Sequence, residues 1–372
     1  MIFNLFFLMT FLLNYTVKKE NCLNYKLPIS NQSKKINEYL YNYKKIQQSD
    51  NWLYQNFKKE IKTGDSSALI IQTKQVLNLI DNRSHLNKKN TNVFDKELEN
   101  AIKLLQKSNN LEINGRLNQT TFNVIQKKFN KKIHQLQINS KRWENFKPDS
   151  SKPFILINIA SQELLLIKSD SILLKMNIII GRRDRKTPIL NSKINYVEFN
   201  PYWVIPPGIM KKDIIPKLLK DPDYIEKNNM KIMMGKSFVH QNSVYWKDTN
   251  VINLYKIVEY PSFKNPMGLV KFEFPNHNYI YLHDTPNKEL FFKKPSMYSS
   301  GCIRIEKATE LARYILKNDL NWENKKTDKL IIKGENKKIK LNDPINIYIN
   351  YFTVWVKNDN SLCFTEDIYN LD

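Results

Sequence analysis

The sequence predicts an α+β chain, helical in its N-terminal third and then β-rich with a mixed sheet and a helical insertion. Three observations carry this. Apolar residues recur at near-helical spacing between about Ser66 and Phe129. From Pro153 the pattern switches to short apolar runs of strand length. Helical spacing then returns twice, inside the strand region at about 214–250 and after it at about Lys307–Lys317.

Composition sets the bounds. A length of 372 residues predicts two or three domains. The 41% hydrophobic and 12% aromatic content suffices for packed cores and argues against disorder. With 8 Gly and 15 Pro, long flexible linkers are not expected. The net charge of +23, from 59 basic and 36 acidic residues, is spread in pairs such as Lys211-Lys212, Lys293-Lys294 and Lys337-Lys338. With heavy Lys, Asn and Ile usage, it reads as base-composition bias with weak steering toward an anionic surface. No zinc finger, RNA-recognition strand pair or base-reading basic helix is present, so nucleic acid is not expected as a partner. Cys22, Cys302 and Cys363 lack metal-ligand spacing, and an odd count leaves at least one free thiol. Cys22 and Cys363 are read as unpaired, with a bond between them left open. His85, His134, His240 and His277 are scattered, and no metal or cofactor is expected.

The elements follow in order. Met1–Leu13 is strongly apolar, too short for an ordinary membrane span and of the right length for a signal-peptide core. Residues 1–17 therefore read as a signal peptide or a membrane anchor, the only membrane contact expected. No basic residue precedes the run and no small-x-small site follows it. Lys18-Lys19 would hold an uncleaved helix at a membrane surface, and the residues around Cys22 do not fit an acylation site. A buried N-terminal helix is the competing reading, disfavoured by the polar segment that follows. Residues 18–65 form a helical region with scattered aromatics and helical spacing from Ile36 to Ile61.

Residues 66–130 read as three helices. The first carries Leu69, Ile70, Val76, Leu77 and Ile80. The second spans Asp95–Ser108 with Leu98, Ile102, Leu104 and Leu105. After the turn Leu111–Leu117, the third starts beyond Asn118, with Thr120 or Thr121 near its cap and Phe122 and Ile125 inward. The string Phe94-Asp95-x-x-Leu98-x-x-Ala101-Ile102-x-x-Leu105-Gln106, then Leu111-x-x-Asn114-Gly115-x-Leu117-Asn118-x-x-Thr121, resembles the three-helix peptidoglycan-binding domain of wall enzymes.

Strands are expected at Phe154–Ile159, Glu163–Ile167, Ile172–Gly181, Val197–Phe199, Tyr202–Val204, Leu269–Phe274 and Tyr279–His283. A last strand pair is expected at Ile345–Ile349 and Phe352–Val356. The insertion at about 214–250, Met-rich and helical in pattern, has the size of a lid.

Chemistry concentrates in Ser299-Ser300-Gly301-Cys302-Ile303-Arg304, nineteen positions after His283. A thiol attacks as its thiolate, and an imidazole is the usual activator. Gly301 permits a sharp turn whose amides, its own and that of Cys302, can face a developing oxyanion. A helix after the turn would favour thiolate further. Taken singly, His283 is a strand-end packing residue and a lone Cys is inert; the combination makes them candidates. A backbone carbonyl is expected to orient His283, because Asp284 points to the opposite face.

The combination resembles the L,D-transpeptidases of bacterial wall synthesis, whose signature is His, a gap, then Ser-x-Gly-Cys, an aliphatic residue and Arg or Asn. The strings Gly181-Arg182-x-Asp184-Arg185-x-Thr187-Pro188, Phe199-Asn200-Pro201-Tyr202-Trp203-x-x-Pro206-Pro207, Leu282-His283-Asp284-Thr285-Pro286 and Asp367-Ile368-Tyr369 extend it over about residues 148–372. It points to the lid-bearing subfamily with a peptidoglycan-binding domain, in which Ser300 replaces a common His. The resemblance implies a β-rich mixed-sheet catalytic domain and 3→3 cross-linking through a Cys302 thioester, with His283 as base and acid and Gly301 in the oxyanion hole. It implies a tetrapeptide donor, a diaminopimelate acceptor and glycan as partners, in the periplasm or envelope; whether residues 1–17 are a cleaved signal or an inner-membrane anchor stays open. Arg304 is assigned to the turn or a substrate carboxylate, and Ser299 to a hydrogen bond within the turn or to substrate. For Tyr281 and Trp203, pocket wall competes with aromatic core, the commoner role. Water or a lipoprotein lysine as acceptor, a non-catalytic wall-binding protein and a cysteine protease of another fold are the alternatives.

Overall fold

The computed structural model describes residues 29–49, 52, 57, 59–81, 86, 91–221, 223–248 and 250–372. The apolar segment 1–17 and Cys22 lie outside the described residues. Among the described residues no helix is long and apolar enough to cross a membrane. The chain divides into two compact units. One holds the described residues up to Lys147 together with Thr353–Thr365 and Asp372; the other holds Pro148–Phe352 and Glu366–Leu371.

The first unit contains four long helices: α1 (Gln32–Gln47), α2 (Ala68–Asp81), α3 (Lys96–Ser108) and α4 (Gln119–Asn145). In α3, buried Leu98, Ala101, Ile102 and Leu105 repeat at i, i+3, i+4 and i+7, the spacing of one helix face. The Asp95 carboxylate caps its first turn, accepting from Leu98 N–H at 2.8 Å. Asn118 does the same for α4 through Thr121 N–H at 2.9 Å, so the cap is Asn118 rather than either threonine. Gln106, 1% exposed, fastens the intervening turn. Its amide nitrogen donates to Asn114 Oδ1, Arg116 O and Thr121 Oγ1, and its oxygen accepts from Gly115 N–H at 2.9 Å. Asp95, Gln106, Asn114 and Asn118 of the 94–121 string thus each satisfy a backbone group, and Thr121 anchors the Gln106 amide.

The sequence places residues 353–365 in the catalytic segment; in the structure they form a hairpin within the helical unit. Trp143 Nε1–H donates to Val354 O at 2.8 Å, and Gln32 makes two 2.8 Å bonds to the backbone of Val356. Cys363, expected unpaired, is disulfide-bonded.

The second unit is built on a nine-stranded mixed sheet. Its strands are β1 (Phe154–Asn158), β2 (Glu163–Lys168), β3 (Ser171–Gly181), β4 (Leu190–Phe199), β9 (Val270–Glu273), β10 (Leu282–His283), β11 (Met297–Ser299), β12 (Ile303–Ile305) and β13 (Lys337–Asn350). The order is β11-β3-β12-β10-β9-β4-β13-β1-β2, and an additional β2–β3 pairing closes the sheet on itself. The pairs β1–β13, β10–β12 and β11–β3 are parallel. The sequence predicts that strand 345–349 pairs with 352–356. Instead β13 pairs with β1 and β4, while β14 (Val354–Val356) pairs with β15 (Leu362–Phe364). Two helices follow the cysteine turn: α5 (Ala308–Leu320) and α6 (Asn324–Lys333). Helix α5 buries Ala308, Leu311, Ala312, Ile315 and Leu316, again one face, in the core of the closed sheet.

The insertion differs from its helical expectation. It runs from β5 (Trp203–Val204) to β8 (Lys256–Glu259) and carries β6 (Met230–Met234) and β7 (Ser237–Val239), forming a second sheet of order β5-β8-β6-β7. Its α-helical pieces span only three or four residues each, with a five-residue π turn at Met210–Ile214. Gly235, at φ +61°, turns the Met-rich stretch into a hairpin. Ile205, Met210, Ile214, Leu218, Met230, Ile232 and Ile257 give the insertion a small core of its own.

Candidate active site

Cys302 occupies a tight turn between β11 and β12. Gly301 sits at φ +115°, a region that side chains disfavour. The Ser299 hydroxyl clamps the turn, accepting from Gly301 N–H at 3.1 Å and donating to Cys302 O at 2.5 Å. This corrects one expectation: the Gly301 amide is already bonded, so it is not a free oxyanion donor in this state. It also defines Ser299, 3% exposed, as a turn fastener. The turn leads into strand β12, and α5 starts only at Ala308, so the helix that follows does not begin at Cys302.

The loop after β3 supports the turn from behind. Thr187 Oγ1 accepts from Gly181 N–H and donates to Gly301 O, both at 2.9 Å. A β-carbon on Gly181 would collide with the Arg185 carbonyl. Tyr369 completes the frame, its hydroxyl donating to Gly181 O at 2.5 Å and accepting from Thr187 N–H at 3.2 Å. The sequence strings around Gly181, Thr187 and Tyr369 therefore converge on the cysteine turn.

The sheet supplies the remaining groups. Glu198, Lys271, His283 and Arg304 are register partners across β4, β9, β10 and β12, so they form one cross-strand row. His283 lies between two cations and is 5% exposed. Burial first, then the charge of Arg304, lowers its pKa to about 3, against the opposing pull of the Asp284 and Met267 backbone carbonyls. Its Nδ1–H donates to the Asp284 carbonyl at 2.6 Å, leaving the lone pair on Nε2. The orienter is thus a backbone carbonyl, as expected, and the Asp284 carboxylate turns away to Leu269 N–H and Lys288.

Tyr281, two residues before His283 and on the same face, packs its ring edge against the imidazole with centroids 5.7 Å apart. The Tyr281 backbone and hydroxyl both favour the Cys302 thiolate, against the burial of the sulfur, and the Trp203 indole acts in the same sense on the Tyr281 phenol. Tyr281 and Trp203 are therefore pocket residues. Burial raises the thiol pKa above its ordinary value despite Tyr281 and the nearby cations. Burial thus disfavours both charged forms, the Cys302 thiolate and the His283 imidazolium, where the sequence suggested a thiolate. Arg304 is half-buried and its Nε has no hydrogen-bond partner.

Trp203, Tyr281, His283, Ser299, Cys302 and Arg304 all line one cavity of about 700 Å³, walled on its other side by the insertion. Two lining groups were not singled out from sequence. Asp213 of the insertion receives both Nη1 and Nη2 of Arg185, at 2.6 and 3.2 Å, while Nη1 also donates to Ser300 Oγ at 2.8 Å. Arg185 thus ties the insertion to the cysteine turn. Glu259, at the end of β8, is the other. Neither has a local pattern that marks it, since both depend on the folded insertion.

A closed mixed sheet thus brings a thiol, an imidazole and a guanidinium around one cavity of an α+β unit. Residues 152–333 match the family model described as "L,D-transpeptidase catalytic domain", and residues 68–125 match "Putative peptidoglycan binding domain". The sheet-bearing segment 152–333 belongs to the L,D-transpeptidase family, and the chain also carries a peptidoglycan-binding domain. A Haemophilus influenzae protein named "Putative L,D-transpeptidase" is 31% identical over 219 residues, covering 59% of this chain and 44% of that protein. The chain thus spans less than half the length of this curated relative. An L,D-transpeptidase structure from Xylanimonas cellulosilytica is 11% identical, covering 80% of this chain and all of that one, with a TM-score of 0.23. One from Stackebrandtia nassauensis is 12% identical, covering 78% and 94%, also at 0.23.

Proposed function

We propose that this chain is an L,D-transpeptidase that forms 3→3 cross-links between peptidoglycan stem peptides through a Cys302 thioester. The observation that carries the reading is the convergence of Cys302, His283, Tyr281, Trp203 and Arg304 on one cavity in a segment matching the transpeptidase catalytic domain.

The burial that disfavours both charged forms shapes the mechanism. The thiol proton passes to His283 Nε2 as sulfur attacks the carbonyl between residues 3 and 4 of a tetrapeptide, and no standing thiolate is required. The Tyr281 hydroxyl bears on the sulfur as charge develops there. The Cys302 amide faces the oxyanion, with Gly301 joining when the Ser299 clamp loosens. Arg304 holds a substrate carboxylate against its unpartnered Nε. D-alanine leaves with the proton held by His283, and the side-chain amine of diaminopimelate on a second stem resolves the thioester. The insertion acts as the lid, and the 68–125 domain holds the chain on peptidoglycan. The site of action is the periplasm or envelope, with residues 1–17 as export signal or anchor.

Incubation with a disaccharide-tetrapeptide, followed by mass spectrometry, tests this. A dimer lacking one D-alanine supports cross-linking. Tripeptide alone converts the reading to a carboxypeptidase, and transfer to a lipoprotein lysine to protein anchoring. Absence of product and of a carbapenem adduct on Cys302 would leave a non-catalytic wall-binding protein.

A further inference from the structure

Two carboxylates line the cavity, and they are treated differently. Asp213 is held by Arg185. Glu259 is 6% exposed, burial raises its pKa, and among the described residues its carboxylate has neither a hydrogen-bond nor an ion-pair partner. Its direction is fixed by register. Glu259 pairs with Trp203 on one side and Met230 on the other, and residues side by side in an antiparallel sheet project to the same face. All three line the cavity. A buried carboxylate without a partner is costly, and an apolar side chain would close the same wall at no such cost.

The other charged lining groups point to what the carboxylate is for. Arg182, Lys217, Lys227, Lys264 and Arg304 are all cationic. Such a cavity receives carboxylates readily and repels ammonium groups everywhere except beside Glu259. We propose that Glu259 is the binding residue for a primary ammonium on the substrate, so that the cavity selects a stem peptide bearing a free side-chain amine. This rests on the stem-peptide reading above and assigns the amine a place in it.

The test is a binding measurement that needs no turnover. The full chain carrying Cys302→Ala is titrated calorimetrically at pH 8 with a stem tetrapeptide bearing a free side-chain amine, and with the same peptide N-acetylated there. The free amine is expected to bind about tenfold more tightly, the scale of one charge-assisted hydrogen bond. Adding Glu259→Gln is expected to bring the two affinities within about twofold, while Glu259→Asp keeps part of the preference. Equal affinities in the Cys302→Ala chain, or a preference that survives Glu259→Gln, overturn the proposal. Thermal melting of each variant shows whether it is folded. Carbapenem acylation of the unsubstituted chain reports on Cys302 separately, so a loss of that reading is not confused with a loss of this one.

Discussion

Replacing Glu259 by Gln removes a titration as well as a charge, and its effect on stability has a definite sign. Burial raises the carboxyl from an ordinary 4.5 to about 7. In the unfolded chain the group ionises above about 4.5; in the folded chain, only above about 7. Between those values unfolding releases a proton, so rising pH favours the unfolded state. The stability associated with Glu259 is fully present below pH 4.5 and is lost as pH rises to 7. At about 1.36 kcal/mol per pH unit, the whole interval corresponds to about 3 kcal/mol, an upper value because the carboxyl faces a solvent-accessible cavity. Gln does not titrate. The Glu259→Gln chain should therefore gain up to about 3 kcal/mol on the parent between pH 4.5 and 8, or roughly 6–12 °C in the catalytic unit's unfolding midpoint. Scanning calorimetry of both proteins at pH 4.5, 6 and 8 measures this, since every other titration occurs in both and cancels. A midpoint difference that stays flat across the three pH values refutes the reasoning.

Other expectations follow from the same geometry. Alkylation of Cys302 by iodoacetamide should be slow at pH 7.5 and still rising beyond the ordinary thiol range, and Tyr281→Phe should slow it further by removing a hydroxyl that favours the thiolate; a plateau below pH 8 contradicts the burial argument. Arg185→Ala should cut carbapenem acylation of Cys302 about tenfold or more by freeing Asp213 and Ser300, and Arg185→Lys should restore little, because an ammonium lacks the two-nitrogen fork; stopped-flow acylation rates decide. Leu311→Ala, at a fully buried position of α5, should cost about 2–5 kcal/mol in urea unfolding of the catalytic unit.

Much of this molecule was legible in its residues because local rules agreed with the fold. The α3 and α5 faces, the strands β1 to β4 and the glycine turn before Cys302 each carry their own period or backbone requirement. The row Glu198–Lys271–His283–Arg304 was invisible, because its members lie on four strands and only register aligns them. The thiolate expectation missed one term for the same reason: burial is a property of the assembled sheet, and it outweighs the cations and Tyr281 that favour a thiolate. The insertion misled because its apolar spacing fits a helix, whereas Gly235 turns residues 230–239 into a hairpin. Nothing near Glu259 announces it; its meaning arises only once Trp203 and Met230 lie beside it.

The hairpin at residues 353–365 makes the catalytic unit discontinuous in the chain. A fragment cut at residue 148 would carry β14 and β15 without Gln32 and Trp143, whose bonds hold Val354 and Val356 in the helical unit. Val354, Trp355 and Val356, all buried here, would lose those partners. The N-terminal unit is therefore not a detachable module at the gene level. A soluble catalytic fragment calls for a short loop joining Phe352 to Glu366, which keeps Tyr369 in place behind the cysteine turn while leaving the hairpin out.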